Sequence, residues 1–585
     1  MSAERPTVSP ELLAALTEST PDRVRRRLDR TPDAAAGWNW QARETAWAVE
    51  AGGETVTLPH GHVVRVEQLT CTCLLSPQCF HVLACLTHLQ VAIVEAPQTQ
   101  AEEQVETTSA EVEDDLVEPA ENQRHAAREL VASVAQLLRV GVASAGVVVQ
   151  SGVLRAAHQC RAEGLHRLAA LGLRVIAGTG EHRARAQAAD PAQLAEDMAD
   201  VLETSQHVLG QNRIASFWIG TARRKQLPVR PRKLLGLFAE PIITRSGFSG
   251  AAAYFLGEDG RLYSASDVRP GDAQHARDAY LGGIEIGPMV QSAKQLARGL
   301  YLGTDMTAST DGRLGRGKGI RIVEHGPSTW QAEAIQERFQ RPLPEQWNAV
   351  YAQAALPADA RPAGWDFVFL TGTILGAVGP ELLCQSAADG QPLRLAIENE
   401  SGSLYFRENL RMLSHAPGLQ LQIIARVNLL EPRIVAPLAV ANVPEAEPAS
   451  DQPWLELPES WAGRVCLGFD EIQRSFLRKA QAAPVVLHVQ SSPPEREPLG
   501  ALRRRWVATM LSGIASQRPS GTNMIVAETA TLNRLGFATG AALLDALSRA
   551  PSGDGPSGID TFLATAVYLR TCAYEWAKAR ATLGS

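Results

Sequence analysis

A chain of 585 residues, 45% hydrophobic and 20% charged, exceeds a single hydrophobic core, has the composition of an ordinary globular protein and should divide into three or four domains. Its formal net charge of -7 excludes bulk attraction to nucleic acid, so any basic site has to be local. There is no run of about 18 apolar residues and no apolar N-terminal core of a signal peptide, and a cytoplasmic protein is expected.

Residues 1–37 form an N-terminal helical segment in which Leu12, Leu13, Leu16, Val24 and Leu28 are the apolar positions. Arg23, Arg25, Arg26, Arg27 and Arg30 gather near its end, where cations suit the helix dipole or a solvated face better than a nucleic-acid arm. From Trp38 the chemistry turns to strands: TAWAVEAG, ETVTLPHG and HVVRVEQLT are separated by Gly-Gly and Pro-His-Gly turn signals. HVLACLTHLQVAIVE follows as a helix to pack on them, closing a unit at 38–97 with its core at 66–93.

Residues 98–122 read as an acidic disordered linker, because 98–121 contain nine carboxylates and no basic residue. A helical domain rich in Ala, Leu and Arg is expected over 123–225, and a strand-rich α+β region over 226–440, with one or two small barrels or sandwiches carrying inserted helices. A Pro-rich acidic hinge at 441–453 leads to a mainly helical C-terminal region, 454–585. No internal repeat is detectable in the sequence. The fold class is therefore α+β and multidomain.

Four of the eight cysteines lie between Cys71 and Cys85, while Cys160, Cys384, Cys466 and Cys572 stand far apart. In a reducing compartment such clustering favours a metal over disulfides. Preference for Arg over Lys, with abundant Ala, suggests a bacterial genome of high GC content. Cys71 and Cys73, two apart at the end of an extended segment, leave the same face of the strand. Ser76 and Pro77 favour a reversal, and Cys79 and His81 follow at the start of the helix, where the positive dipole end suits thiolates. Three sulfurs and one imidazole meet the needs of a structural zinc, and with four protein donors no position stays open for catalysis. Cys85 and His88 are alternative fourth ligands; helical packing in the core is the simpler reading of Cys85, and exposure that of His60 and His62.

The string CTCLLSPQCFHVLACL resembles the SWIM zinc finger, whose pattern is Cys-x-Cys, a variable spacer, then Cys-x-His on a strand-strand-helix unit. The spacer here is five residues, Leu74 stands where many members carry Pro, and Phe80 where many carry a basic residue. The resemblance covers roughly residues 38–95 and implies one bound Zn2+ and binding of DNA or protein. Large bacterial proteins of this kind are often linked with MoxR-type AAA+ ATPases and von Willebrand A-domain proteins, which implies an adaptor in such an assembly.

Within residues 51–93 the one basic residue is Arg65, against Glu54 and Glu67, so protein contact suits the finger better than phosphate contact. Two basic stretches elsewhere keep a DNA-binding alternative open. One is a strap with Arg223, Arg224, Lys225, Arg230, Arg232 and Lys233; the other is a Gly-rich loop with Arg313, Arg316 and Lys318. Gly312 to Lys318 matches the start of a Walker A motif, but Gly319 replaces the Ser or Thr, and IRIV predicts a strand where that motif needs a helix. No elbow, zincin or helicase motif is present, and a non-enzymatic protein is expected. The remaining enzymatic alternative is a site in the strand-rich region around Trp365 to Gly376.

Overall fold

The computed structural model describes residues 5–91 except 10–11, 14–15, 17–19, 22, 25–26, 29–30, 32–33 and 44–45. It further describes 116–221 except 187–188, 226–444 except 245–246, 318 and 399–400, and then 452–487, 498–514, 522–548 and 557–583. The protein is mixed α and β with several sheets. Its described residues fall into two compact units, one holding those up to 91, 116–221 and 498–570, the other 226–487 and 571–583.

The first unit begins with β1 (Thr7–Val8), β2 (Asn39–Ala42), β3 (Ala46–Ala51), β4 (Glu54–Pro59), β5 (His62–Val63), β6 (Thr70–Cys71), α1 (Phe80–His88) and β7 (Gln90–Val91). Gly52 and Gly53 join β3 to β4 with Ala51 opposite Glu54, and both take positive φ, 61° and 97°. A two-residue turn of that kind matches the twist of a hairpin, and glycine reaches it without steric cost. The register puts Trp47 opposite Leu58 and Val49 opposite Val56, all buried. Against them lie Val82, Leu83, Cys85 and Leu86 of α1. The described residues between 12 and 28 that lie in this unit are largely helical; Leu12, Leu16, Val24 and Leu28 enter the same core, while Arg23 and Arg27 are exposed. The segment before residue 38 is thus part of the core of this hairpin-and-helix unit. β1 sits between β5 and β7, parallel to both.

Four helices follow: α2 (Glu121–Val140), α3 (Val147–Ala162), α4 (His166–Arg183) and α5 (Pro191–Gly210). Asp190 caps α5 by accepting from Ala192 and Gln193, with Pro191 at the first helical position. The acidic stretch lies largely outside the described residues, at 92–115; the expected linker closes before 116, where Leu116–Val117 pairs with Ile214–Ala215. Helices Gly500–Ser512, Thr522–Arg534, Ala538–Ser548 and the first half of Gly558–Leu583 belong to this unit. Trp506 stacks on Phe562, and Arg570 bonds Glu196, Asp200 and Glu203 of α5. The C-terminal helices therefore complete the helical domain.

The second unit contains β8 (Leu227–Pro228), β9 (Lys233–Ile243), β10 (Phe248–Gly257), β11 (Leu262–Pro270), α6 (Ala273–Leu281), β12 (Gly283–Ile286), β13 (Met289–Ser292), β14 (Gly299–Thr304), β15 (Thr307–Ala308) and β16 (Arg321–Pro327). After helices Glu333–Gln340 and Leu343–Ala354 come β17 (Phe367–Val378), β18 (Glu381–Ser386), β19 (Pro392–Leu395), α7 (Phe406–Leu413), β20 (Gln420–Val427), β21 (Ile434–Asn442) and β22 (Arg464–Cys466).

Its two large sheets repeat one topology. The first runs β11-β10-β9-β14-β16 and the second β19-β18-β17-β20-β21, with β22 added at the edge. Counted within each half, both orders are 3-2-1-4-5, with neighbouring strands antiparallel and a helix between strands three and four. Irregularities recur in the same strand pairs. Strand one bulges against strand two at Gly236/Phe238 and at Ile374/Gly376, and strand four against strand five at Leu300/Tyr301 and at Ile424/Ala425. Bulges increase local twist and let a sheet curl. In the second half it curls to closure, with β19 pairing β21 in parallel through Arg394↔Ile434 and Leu395↔Val435. This is the connectivity of a five-stranded OB-type barrel. In the first half a parallel bridge joins Ser264 of β11 to Arg313. The sequence hides this duplication because equivalent positions carry different side chains. Of the expected hinge at 441–453, residues 445–451 lie outside the described residues; β21 runs to Asn442 and 464–466 extends the same sheet, so residues 454–487 carry strands where helix was expected.

Candidate metal centre

β6 ends at the sheet edge, with Cys71 opposite Val56 of β4. The backbone then turns back: Ser76 N–H donates to Cys73 O at 3.2 Å, and the Ser76 hydroxyl accepts from the Cys71 N–H at 3.0 Å. The reversal returns the chain to α1, whose N-cap is Cys79, the sulfur accepting from Val82 N–H at 3.4 Å. His81 follows in the first helical turn. These four residues form the metal-capable group found among the described residues, and their ligand atoms lie within 4.8 Å of one another. Cys71 Sγ stands 3.8 Å from His81 Nδ1.

A tetrahedral ion with metal–sulfur bonds of about 2.3 Å sets its sulfurs about 3.8 Å apart, so the donors need to close by no more than about 1 Å. Cys79 is buried and the other three donors are half-buried. Burial pushes the Cys71 thiol up to about 12 and raises Cys79, with the Cys73 sulfur adding to the rise at both; burial also lowers His81, so its imidazole favours the neutral form that a metal takes. Cys71 and Cys79 in this partly dry site are poor thiolates alone, and a bound cation reverses that balance. Aromatic rings hold the imidazole: Trp38 lies 6.1 Å and Phe80 5.8 Å from it, and the Arg27 guanidinium covers Phe80 at 4.1 Å.

The alternative ligands are engaged otherwise. Cys85 is fully buried in the finger core, and His88 bonds Arg5 at 2.8 Å. His60 bonds Arg43 O and His62 bonds Thr7, both on exposed side chains. On the knuckle between the ligand pairs Leu74 is 104% exposed and Leu75 46%. Two apolar side chains thus stand in solvent on a turn bracketed by the metal-capable residues.

Of the basic stretches, Arg223, Arg224, Lys225 and Lys318 lie outside the described residues. Arg230, Arg232 and Lys233 are exposed, as is Arg316, while Arg313 is half-buried. Both Arg313 and Arg316 donate to Ser266 O. A strand, β16, follows the Gly312 to Lys318 stretch. Trp365 lies under Arg361 at 4.5 Å, and residues 367–370 are buried in β17. A small cleft in this unit is lined by Glu240, Glu398 and Arg426 among apolar neighbours. Its charged groups pair with one another, Arg426 bonding Glu240, Asp366 and Glu398, and Tyr254 donating to Glu240.

Among the described residues no helix is long and apolar enough to cross a membrane. No family model, curated protein or solved structure matches the chain.

Proposed function

We propose that Cys71, Cys73, Cys79 and His81 hold one structural Zn2+ in a SWIM-type finger, and that the chain is a non-enzymatic adaptor recognising a protein partner through it. The observation that carries this reading is the convergence of three sulfurs and an imidazole nitrogen within 4.8 Å across the junction of hairpin and helix. Zinc takes such a soft, nitrogen-containing set, and four protein donors leave no position for a substrate. The exposed Leu74 and Leu75 support protein contact, since apolar side chains on a rigid protrusion gain by burial against a partner. Arg23 and Arg27 flank the finger, so its charge is less negative than residues 51–93 alone suggest.

The partner class that the resemblance offers is a MoxR-type AAA+ ATPase with its von Willebrand A-domain protein. Elemental mass spectrometry of the purified chain tests the metal: one zinc per chain, lost in Cys79→Ser, is expected, and a metal-free wild type would end the reading. Sedimentation with a purified MoxR-type ATPase and A-domain protein tests the partner. A complex formed by the wild type and abolished by Leu74→Asp with Leu75→Asp, zinc retained, is expected; a complex indifferent to the double substitution refutes the knuckle as its contact.

A further inference from the structure

We propose that the first barrel of the second unit carries a binding site for the sugar–phosphate backbone of single-stranded nucleic acid, formed where strap 227–233 and loop 305–320 meet on either side of β15. This site is independent of the zinc reading and involves none of the finger's residues.

The two basic stretches stand about 80 residues apart in sequence, yet both pair with one short strand. On one edge of β15, Leu227 and Pro228 of β8 pair with Ala308 and Thr307, and Val229 N–H donates to Met306 O at 2.9 Å. On the other edge Ala308 bridges Leu314, and Gly315 N–H donates to Thr307 O at 2.8 Å. Neighbouring strands lie about 4.8 Å apart, so strap and loop backbones run about 10 Å from each other. β15 lies between them, so the two basic segments flank one three-stranded ribbon. Arg230, Arg232 and Lys233 are exposed on the strap side, and Arg316 and Arg321 on the loop side, with Arg313 half-buried between.

Charge favours an anionic polymer. Among the described residues, 226–233 and 305–321 carry six Lys or Arg and two Asp, a local +4 in a chain of -7, which leaves -11 for the rest. Several nearby carboxylates are already engaged: Asp267 pairs with Arg269 at 3.0 Å, Asp311 accepts from the Ser309 hydroxyl, and Glu258 accepts from Arg232 N–H at 2.7 Å. A concentrated basic patch on an acidic protein raises the local concentration of phosphates where the chain as a whole repels them.

The duplication separates scaffold from elaboration. In the second barrel strands four and five are joined by residues 428–433, a short turn with Glu431 and Arg433. The equivalent connection in the first barrel spans 305–320 and contains β15 and the basic loop. Part of that length closes the first barrel, through the bridge of Arg313 to Ser264, while β15 has no counterpart in the short turn of the second copy. In five-stranded barrels this connection borders the face that takes single strands, where cationic grooves track the backbone.

The test is fluorescence anisotropy of the full chain with labelled dT20, U20 and a 20-base-pair duplex, over a salt series, with unlabelled polyglutamate as competitor. Engagement of the six described cations gives a log–log salt slope of about -4 for single strands, about a 300-fold loss of affinity between 50 and 200 mM salt. Arg230→Glu with Arg232→Glu should weaken dT20 binding more than tenfold, and Arg316→Glu alone should weaken it several-fold, with circular dichroism unchanged; Cys79→Ser should leave it intact. Preference of U20 over dT20, or the reverse, would name the natural strand. Binding that survives the reversals, a duplex bound as tightly as the single strands, equal displacement by polyglutamate, or no binding at 50 mM salt would each overturn the proposal.

Discussion

Cys79 combines two roles that substitution can separate. Its sulfur accepts the Val82 N–H as the cap of α1 and also belongs to the metal-capable group. Serine is among the best N-caps, so Cys79→Ser should lose the metal yet keep the helix, while Cys79→Ala should lose both, at a further cost of about 1 kcal/mol. Far-ultraviolet circular dichroism beside elemental analysis reads the two apart. Cys85 provides the complementary test. It faces the apolar core one turn beyond His81, and Cys85→Ala should leave metal stoichiometry at the wild-type value while lowering stability by about 1 kcal/mol. Loss of metal in that variant would show that the fourth ligand has been misassigned. The metal-capable group was legible in the sequence because its four residues fall within eleven positions, where strand alternation, turn chemistry and helix start can be read locally. The meeting of Arg230 and Arg232 with Arg313 and Arg316 was not, because it depends on both segments pairing with Thr307–Ala308.

At the level of elements, tight turns carried the strongest local signal. Gly52-Gly53 between alternating strands specified the β3–β4 hairpin, and the register followed from placing Trp47, Val49, Val56 and Leu58 on one buried face. The doubled barrel left no such trace, because what repeats is strand order and which strand pairs bulge, and many side chains fit either. Association of the C-terminal helices with α2–α5 was equally invisible, resting on long-range contacts. One contact is set by two glycines: Gly141 and Gly513 each end a helix at positive φ, 86° and 89°. A methyl group on Gly141 would stand 2.4 Å from Gly513 N, and one on Gly513 would stand 2.5 Å from Val140 C. Backbone cannot yield as a flexible side chain does, and the positive φ adds its own penalty. Gly141→Ala should therefore lower stability by about 2–4 kcal/mol in urea unfolding, against about 0.5 kcal/mol or less for Gly37→Ala, which has open space around it. Equal effects at the two positions would contradict the close approach.

Across the whole molecule, metal and proton are expected to act on the same unit. The finger and the helices share the first unit, and Val147 of α3 belongs to the finger's core cluster, so energy supplied at the ligands is felt by helical residues. With free zinc a thousandfold above its dissociation constant, binding adds about 4 kcal/mol, or about 10 °C in the melting temperature of a unit this size. Chelation should lower one calorimetric transition by that order and leave the other, that of the doubled barrel, in place. Protons should act in the same direction at His207, which is stacked on Trp218 at 3.8 Å. Burial lowers its pKa from 6.5 although Glu203 opposes the shift, and burial with Arg161 lowers His166 likewise. A histidine whose folded pKa is depressed takes its proton more readily in the unfolded chain, so its stabilising effect is complete above about pH 6.5 and is lost as pH falls through and below that value. The first unit's transition should accordingly move down between pH 7 and pH 5 even in metal-free protein, and His207→Gln should flatten that slope. A slope unchanged by the substitution would mean that the imidazole stacked on Trp218 titrates no differently in the folded and unfolded chain.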